Sequence, residues 1–222
     1  MMDFLSQPFS SGFDTTANEL SFFMTLAFRF LLSPKTTTHV NEHTVRPYSH
    51  WFSHQLSNDS LFRGIPFPDA VPRLGPKFHL IEKDFMKLAV PPSFPMDSST
   101  PSWIKNDPHT HFLGGYDYVV TLFFIDTSLD AFATLTHIYK LLRPGGVWIN
   151  LGPLFWTGGA QAKVELCLNE VLSAAEEIGF TINRQQSGSF GRKTVECEYT
   201  GDRNAMMRYI YRAEFWVATK GK

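Results

Sequence analysis

Residues 116–154, YDYVVTLFFIDTSLDAFATLTHIYKLLRPGGVWINLGPL, leave a chain few ways to fold. Tyr118 to Ile125 is an almost unbroken apolar run, the pattern of a parallel strand covered on both faces. Leu129, Phe132, Leu135, Ile138 and Leu142 then recur at helical spacing. Arg143 suits the negative end of the helix dipole, and Pro144-Gly145-Gly146 stops the helix with residues that tolerate a tight turn. Val147 to Leu151 is the next strand. Strand, helix and strand in this order predict a right-handed βαβ unit, hence an α/β fold with helices on both faces of its sheet. Ligands in such sheets bind beyond the carboxyl ends of the strands. The polar residues there are Asp126, Thr127 and Asn150.

The rest of the chain fits around that unit. Phe13 to Ala17 reads as a short strand, and Asn18 as the cap of a helix running to about Leu32. Leu20 to Leu32 is strongly apolar, but it contains Arg29 and is too short to span a bilayer, so a buried helix is expected and no membrane role. Lys35 to Thr44 reads as a polar loop and Pro47 to Leu56 as a short helix. Residues 63–76 hold four prolines and two glycines and predict an extended segment. Phe78 to Leu80 is a candidate strand, and residues 91–112 should form a long loop. Beyond the central unit, Val164 to Ile178 is an amphipathic helix stopped by Gly179, and Phe180 to Gln185 a strand. Residues 187–204 are polar and glycine-bearing. Tyr209 to Thr219 is a final strand, antiparallel because no crossover helix precedes it. A single domain over residues 1–222 is expected, with 33–112 as insert and loops and 113–222 as the carboxyl half of the sheet.

Composition removes several partners. With 20 basic and 21 acidic residues the net charge is −1, which gives no footprint for nucleic acid. Two cysteines, Cys167 and Cys197, make no disulfide framework, so a cytoplasmic or also nuclear location is expected. His50 and His54 have helical spacing, and His39, His43, His109 and His111 lie near in sequence. No cysteine or acid stands at a ligand spacing beside them, so no metal is expected.

The order of elements, with its terminal antiparallel strand, resembles the carboxyl half of a class I S-adenosylmethionine-dependent methyltransferase. The words FFIDT at 123–127 and WINLGPL at 148–154 resemble the carnosine N-methyltransferase family, the N2227-like proteins. ANELSFFM at 17–24, RPYSHWFSHQLS at 46–57, RGIPFPDAVP at 63–72 and MMRYIYRAEFWVA at 206–218 are similar to further segments of that family and fall in the same order.

The resemblance implies S-adenosylmethionine as cofactor and a small molecule or dipeptide as substrate, and a homodimer is compatible with it. Glu19, at the end of its strand, would accept the cofactor's ribose hydroxyls; on its own it also reads as an acid at a helix start. Asp84 and Phe85 match an aspartate-phenylalanine pair at the adenine, and Leu122 an apolar wall of the cofactor pocket. Asp126 matches the aspartate that holds the imidazole of carnosine. A carboxylate accepting one imidazole N–H leaves the lone pair on the other nitrogen and stabilises the cation formed by methyl transfer. Asp126 could instead cap the following helix. Tyr211 matches a substrate-contacting tyrosine, with Tyr209 on the same face, and Thr157 stands where the family has a histidine.

Two departures shape the expectation. A threonine supplies one hydrogen bond in place of an imidazole, which favours another nitrogen acceptor. The glycine-rich loop after the first strand of class I methyltransferases has no counterpart: 18 residues precede Glu19, with Gly12 the sole glycine, whereas strand, loop and helix need roughly 30. The sheet is therefore expected to lack its first strand, and the chain to be a fragment or to have lost half its cofactor site. The expected function is N-methylation of an imidazole nitrogen in carnosine or a related histidine-containing peptide. The alternative is a non-catalytic remnant of the fold acting as an interaction module.

Overall fold

The computed structural model describes residues 13–71, 75–91, 114–184, 191–199 and 201–222. All but the first residue of the loop expected at 91–112 lies outside them, as do His109 and His111. The chain divides into two compact units, Met1–Leu88 with Gly201–Arg208, and Ala89–Thr200 with Tyr209–Lys222.

The first unit is built on two parallel strands. β1 (Thr15–Glu19) lies beside β4 (Phe78–Glu82), with Thr15 opposite Phe78 and Glu19 opposite Glu82. The helix α1 (Phe22–Leu32) follows β1. The expected cap, Asn18, is instead a strand residue whose side-chain amide donates to the carbonyls of Ile81 and Lys83. Ser21 caps the helix, its hydroxyl accepting from the Met24 N–H. The helix is apolar save for Thr25 and Arg29, yet not buried: Thr25 alone is fully covered, and Phe22, Met24, Leu26 and Phe30 are exposed, with Phe23 at 78%. The small sheet it packs on can cover one side only, where Phe28 meets Phe78 and Thr25 donates to Glu82.

No helix forms over 47–56, where His54 takes a left-handed φ of 67°. The helix here is the short α2 (Asn58–Leu61), capped by Ser57. Part of the expected polar loop and part of the proline-rich segment pair instead as antiparallel β2 (His43–Val45) and β3 (Ile65–Phe67). Arg63 forms a buried ion pair with Asp202 and lies 3.9 Å over the Tyr48 ring, which fastens residues 201–208 to this unit.

The second unit holds nearly all of the described apolar core. β5 (Tyr116–Leu122) and β6 (Leu142–Gly152) run parallel and are joined by α3 (Ala131–Leu141), as expected. Arg143 to Gly146 form an irregularity at the start of β6, so Tyr116 faces Leu142 but Tyr118 already faces Val147. Among the described residues β5 is an edge strand of its sheet and is not covered on both faces: Tyr118 is 53% exposed, and Val120 and Leu122 are also open. The stripe α3 buries is Ala131, Thr134, Leu135, Ile138 and Leu141. Leu129, which precedes the helix, and Phe132, which stands off its buried stripe, are exposed.

α4 (Leu168–Ile178) starts four residues later than its pattern suggested, because Val164 bridges to Asp130 instead. Gly179, at φ 119°, ends it. β7 (Phe180–Ile182) follows. β8 (Lys193–Glu198) was not expected; its sequence, KTVECE, puts a polar residue at all but two positions. β9 (Ile210–Lys220) is antiparallel to β6, β7 and β8. It shares residues 214 and 215 with both β6 and β8, and 218 and 219 with both β6 and β7, so β6 lies along one edge and the other two along the opposite edge. Trp148 of β6 and Trp216 of β9 meet edge to face at 5.4 Å with no exposure. A pair of this kind adds about 0.5–1.5 kcal/mol to the burial of its rings.

Candidate functional site

The carboxyl end of β5 turns sharply. Phe123 adopts φ 49°, a left-handed conformation that is unfavourable for a non-glycine residue. The neighbouring strand must then come close, and a Cβ on Gly152 would stand 3.1 Å from the Phe123 Cα. A 3-10 turn, Ile125–Thr127, follows and carries Asp126 inward to 5% exposure.

Asp126 does not cap α3. Asp130 does so, accepting the Ala133 N–H at 3.0 Å. One oxygen of Asp126 accepts the Phe155 N–H at 2.9 Å, and its backbone carbonyl accepts the Thr157 N–H at 3.1 Å. The segment after β6 is thus held at two points by one residue of the turn after β5. Burial raises the pKa of Asp126, opposed by the Phe155 amide and by its own. The Tyr211 hydroxyl is also shifted up, by burial first and then by the charges of Tyr199 and Asp126. Tyr211 is therefore within the electrostatic reach of Asp126. Its ring meets Phe123 and Tyr199 edge to face, each at 5.7 Å, and Tyr199 in turn meets Tyr209 at 6.3 Å.

Asp126, Thr157 and Tyr211 therefore converge in the second unit, with Leu122 at the end of β5. Asn150 does not join them. It is fully buried, accepting from Thr121, whose hydroxyl accepts from Trp148, so it serves the core. Phe123, Phe155 and Tyr199 were missed in the sequence. FFIDT gave a signal for the first; Phe155 acts through its backbone amide, and Tyr199 lies on the strand that was not anticipated.

Glu19 and Asp84 stand in the first unit, one at the end of β1 and the other just beyond β4. Glu19 accepts the Ser21 N–H at 2.8 Å, so it does support the start of α1. Asp84 caps the 3-10 turn Phe85–Lys87 through the Met86 N–H, and Phe85 beside it is half-buried. Acids at the carboxyl ends of adjacent parallel strands, with an aromatic ring beside one, form a set able to accept hydroxyl and amino donors. Among the described residues no three His, Cys, Asp or Glu gather as a metal site would require, and no helix is long and apolar enough to cross a membrane.

A sequence model of carnosine N-methyltransferase matches residues 5–222. The chain belongs to the carnosine N-methyltransferase family. It is 30% identical to the carnosine N-methyltransferase of Schizosaccharomyces pombe, over 93% of this chain and 52% of that protein. To the enzyme of that name from Mus musculus it is 27% identical, over 94% of this chain and 46% of the relative. The chain thus spans about half the length of the curated relatives it matches. A solved S-adenosylmethionine-dependent methyltransferase from Methanosarcina mazei superposes with a TM-score of 0.51 at 11% identity, covering 97% of this chain and 85% of that one. The fold is therefore that of a Rossmann-like class I methyltransferase.

Proposed function

We propose that this chain serves an S-adenosylmethionine-dependent N-methyltransferase, acting on an imidazole nitrogen of carnosine or a related histidine-containing peptide. The observation that carries the reading is the buried Asp126 carboxylate. It lies just past the end of a parallel strand, within the field of Tyr211, and a backbone amide rather than a basic side chain holds it in place. Burial with no cationic partner among the described residues makes it a strong acceptor for an imidazole N–H.

Asp126 would select the tautomer whose free nitrogen faces the methyl donor, and would stabilise the imidazolium charge as it forms. Tyr211 would close one side of the ring, and Thr157 would flank the acceptor from the segment that Asp126 itself fastens. Glu19 would accept the ribose hydroxyls of the cofactor and Asp84 its adenine amino group, with the Phe85 ring stacked beside the adenine. The cofactor supplies the electrophilic methyl group.

Calorimetric titration with S-adenosylhomocysteine followed by a carnosine methylation assay tests this. Asp126→Asn should remove turnover, by roughly a hundredfold or more, while cofactor affinity stays near that of the unaltered chain. Turnover that survives the substitution would refute the role given to Asp126. A folded chain that binds no cofactor would favour the interaction-module alternative.

A further inference from the structure

The segment that holds Asp126 is itself closed into a loop. The Trp156 indole N–H donates to the Leu166 carbonyl at 3.0 Å, so the chain between them returns on itself. Two further bonds run from this loop to the turn after β5. The Lys163 amide donates to the Leu129 carbonyl at 2.7 Å, and the Val164 carbonyl accepts the Ala131 amide at 3.2 Å. With the Phe155 and Thr157 amides on Asp126, residues 155–164 therefore grip residues 126–131 at both ends. The loop is tightly folded: a Cβ on Gly158 would stand 2.9 Å from that of Ala162 and 3.2 Å from Leu129 Cδ2. All of these residues belong to the second unit.

Trp156 stands between the two amides that hold Asp126. Phe155 before it and Thr157 after it are exposed, whereas Trp156 is half-buried. It lines a small hollow together with the buried side chains Ile125, Ala131, Leu135 and Val171. The indole thus lies against the residue that precedes Asp126 and against the start of α3, while its N–H closes the loop. The orientation of the Asp126 carboxylate rests on a backbone amide, and an amide is only as well placed as the chain that carries it. An aromatic ring held by packing on its faces and by a hydrogen bond at its edge fixes that chain.

We propose that Trp156 is a positioning residue of the acceptor site: its indole pins the loop 156–166 shut, and the pinned loop presents the Phe155 amide that aims the Asp126 carboxylate. The inference deepens the methyltransferase reading above and rests on it for the acceptor, whereas the pinning is a property of the chain alone. Trp156 acts through the Phe155 amide and touches no reacting atom. Removing the indole N–H leaves the half-buried Leu166 carbonyl without its donor and loosens the loop. Small displacements of a positioned group cost large factors in rate. The Phe155 amide also favours the charged form of Asp126, so loosening it raises the pKa of that carboxyl further.

Trp156→Phe keeps a ring and removes the donor. Nuclear magnetic resonance of the full 222-residue chain, without ligand, then reads two quantities. The Phe155 amide should exchange about tenfold faster or more. The titration midpoint of the Asp126 carboxyl carbon, assigned through Asp126→Asn, should move up; Tyr211, the titratable group within its reach, stays protonated over that range. Ile182→Val, a core substitution on β7, controls for lost stability and should change neither. In the methylation assay Trp156→Phe should lower kcat/KM for carnosine about tenfold, with the affinity for S-adenosylhomocysteine unchanged. An amide and a midpoint that do not move in Trp156→Phe, or that move equally in Ile182→Val, would overturn the proposal, as would an unchanged kcat/KM. So would an unaltered chain whose Trp156 indole N–H exchanges far faster than the Phe155 amide, a measurement that needs no variant. Both shifts in a chain that methylates no carnosine would support the pinning of Asp126 while refuting the function proposed for it.

Discussion

Two aspartates respond to acid with opposite signs. The folded pKa of Asp126 lies above its unfolded value because burial disfavours the charge. Its ionisation therefore opposes folding fully above the folded pKa and not at all below the unfolded one, about 3.9. Asp202 is the reverse. Its hydrogen bond from Arg63 holds its pKa down, so the stability it contributes is present at neutral pH and is lost as the pH falls through the folded value. Asparagine at 126 keeps an oxygen for the Phe155 amide without a charge to desolvate. Asp126→Asn should thus unfold at the same or a higher denaturant concentration than the unaltered chain at pH 7, and any advantage should vanish near pH 3. Urea titrations at both pH values check this; a clear loss of stability at pH 7 would mean that the ionised carboxylate favours folding.

At the scale of elements, the neighbouring acids Asp126 and Asp130 separate two roles that the sequence left open. Asp130→Ala removes the cap of α3 and should cost about 1 kcal/mol, measured by chemical denaturation, with the hydrogen bond from Phe155 to Asp126 untouched. The central βαβ unit was legible because both its strands and its helix carry the period of their structure, and the antiparallel last strand followed from the absence of a crossover. Errors arose where apolar pattern alone was read as burial. α1 and β5 are as apolar as core elements, yet each has a face that nothing described covers, and burial depends on neighbours that a local pattern does not encode. β8 escaped notice because its strand forms through pairing with β9 and not through an apolar face. Asp126 and Tyr211 could be singled out in the sequence, and the fold brings them within electrostatic reach of each other. The amide of Phe155 was not, because a backbone donor leaves no mark in residue type.

For the molecule as a whole, the two units differ in how much core they hold. The second buries Trp148, Trp216, Leu135, Ile138, Leu172 and Phe180 together, whereas in the first Leu61 is the fully buried large aliphatic side chain among the described residues. Amides that open only with the core exchange slowest. Hydrogen exchange of β6 and β9 should therefore be slower than that of β1 and β4 by orders of magnitude. Equal protection in both sheets would show that the units open together.

β9 also makes the chemistry of the second unit depend on counting. Tyr211 and Arg212 are consecutive, yet the first meets Phe123 and the second lines an open cleft with Gly152, Trp156 and Glu214. The side chains of a strand alternate with a period of two, so odd positions here face Phe123 and even positions the opposite side of the sheet. One residue gained or lost between Arg212 and the buried Trp216 would exchange them, placing a cation where the ring belongs, while two would restore the order. A change of length in residues 201–208 would strain their ties to the first unit but leave that parity untouched, whereas β9 between Arg212 and Trp216 can change length only in even steps.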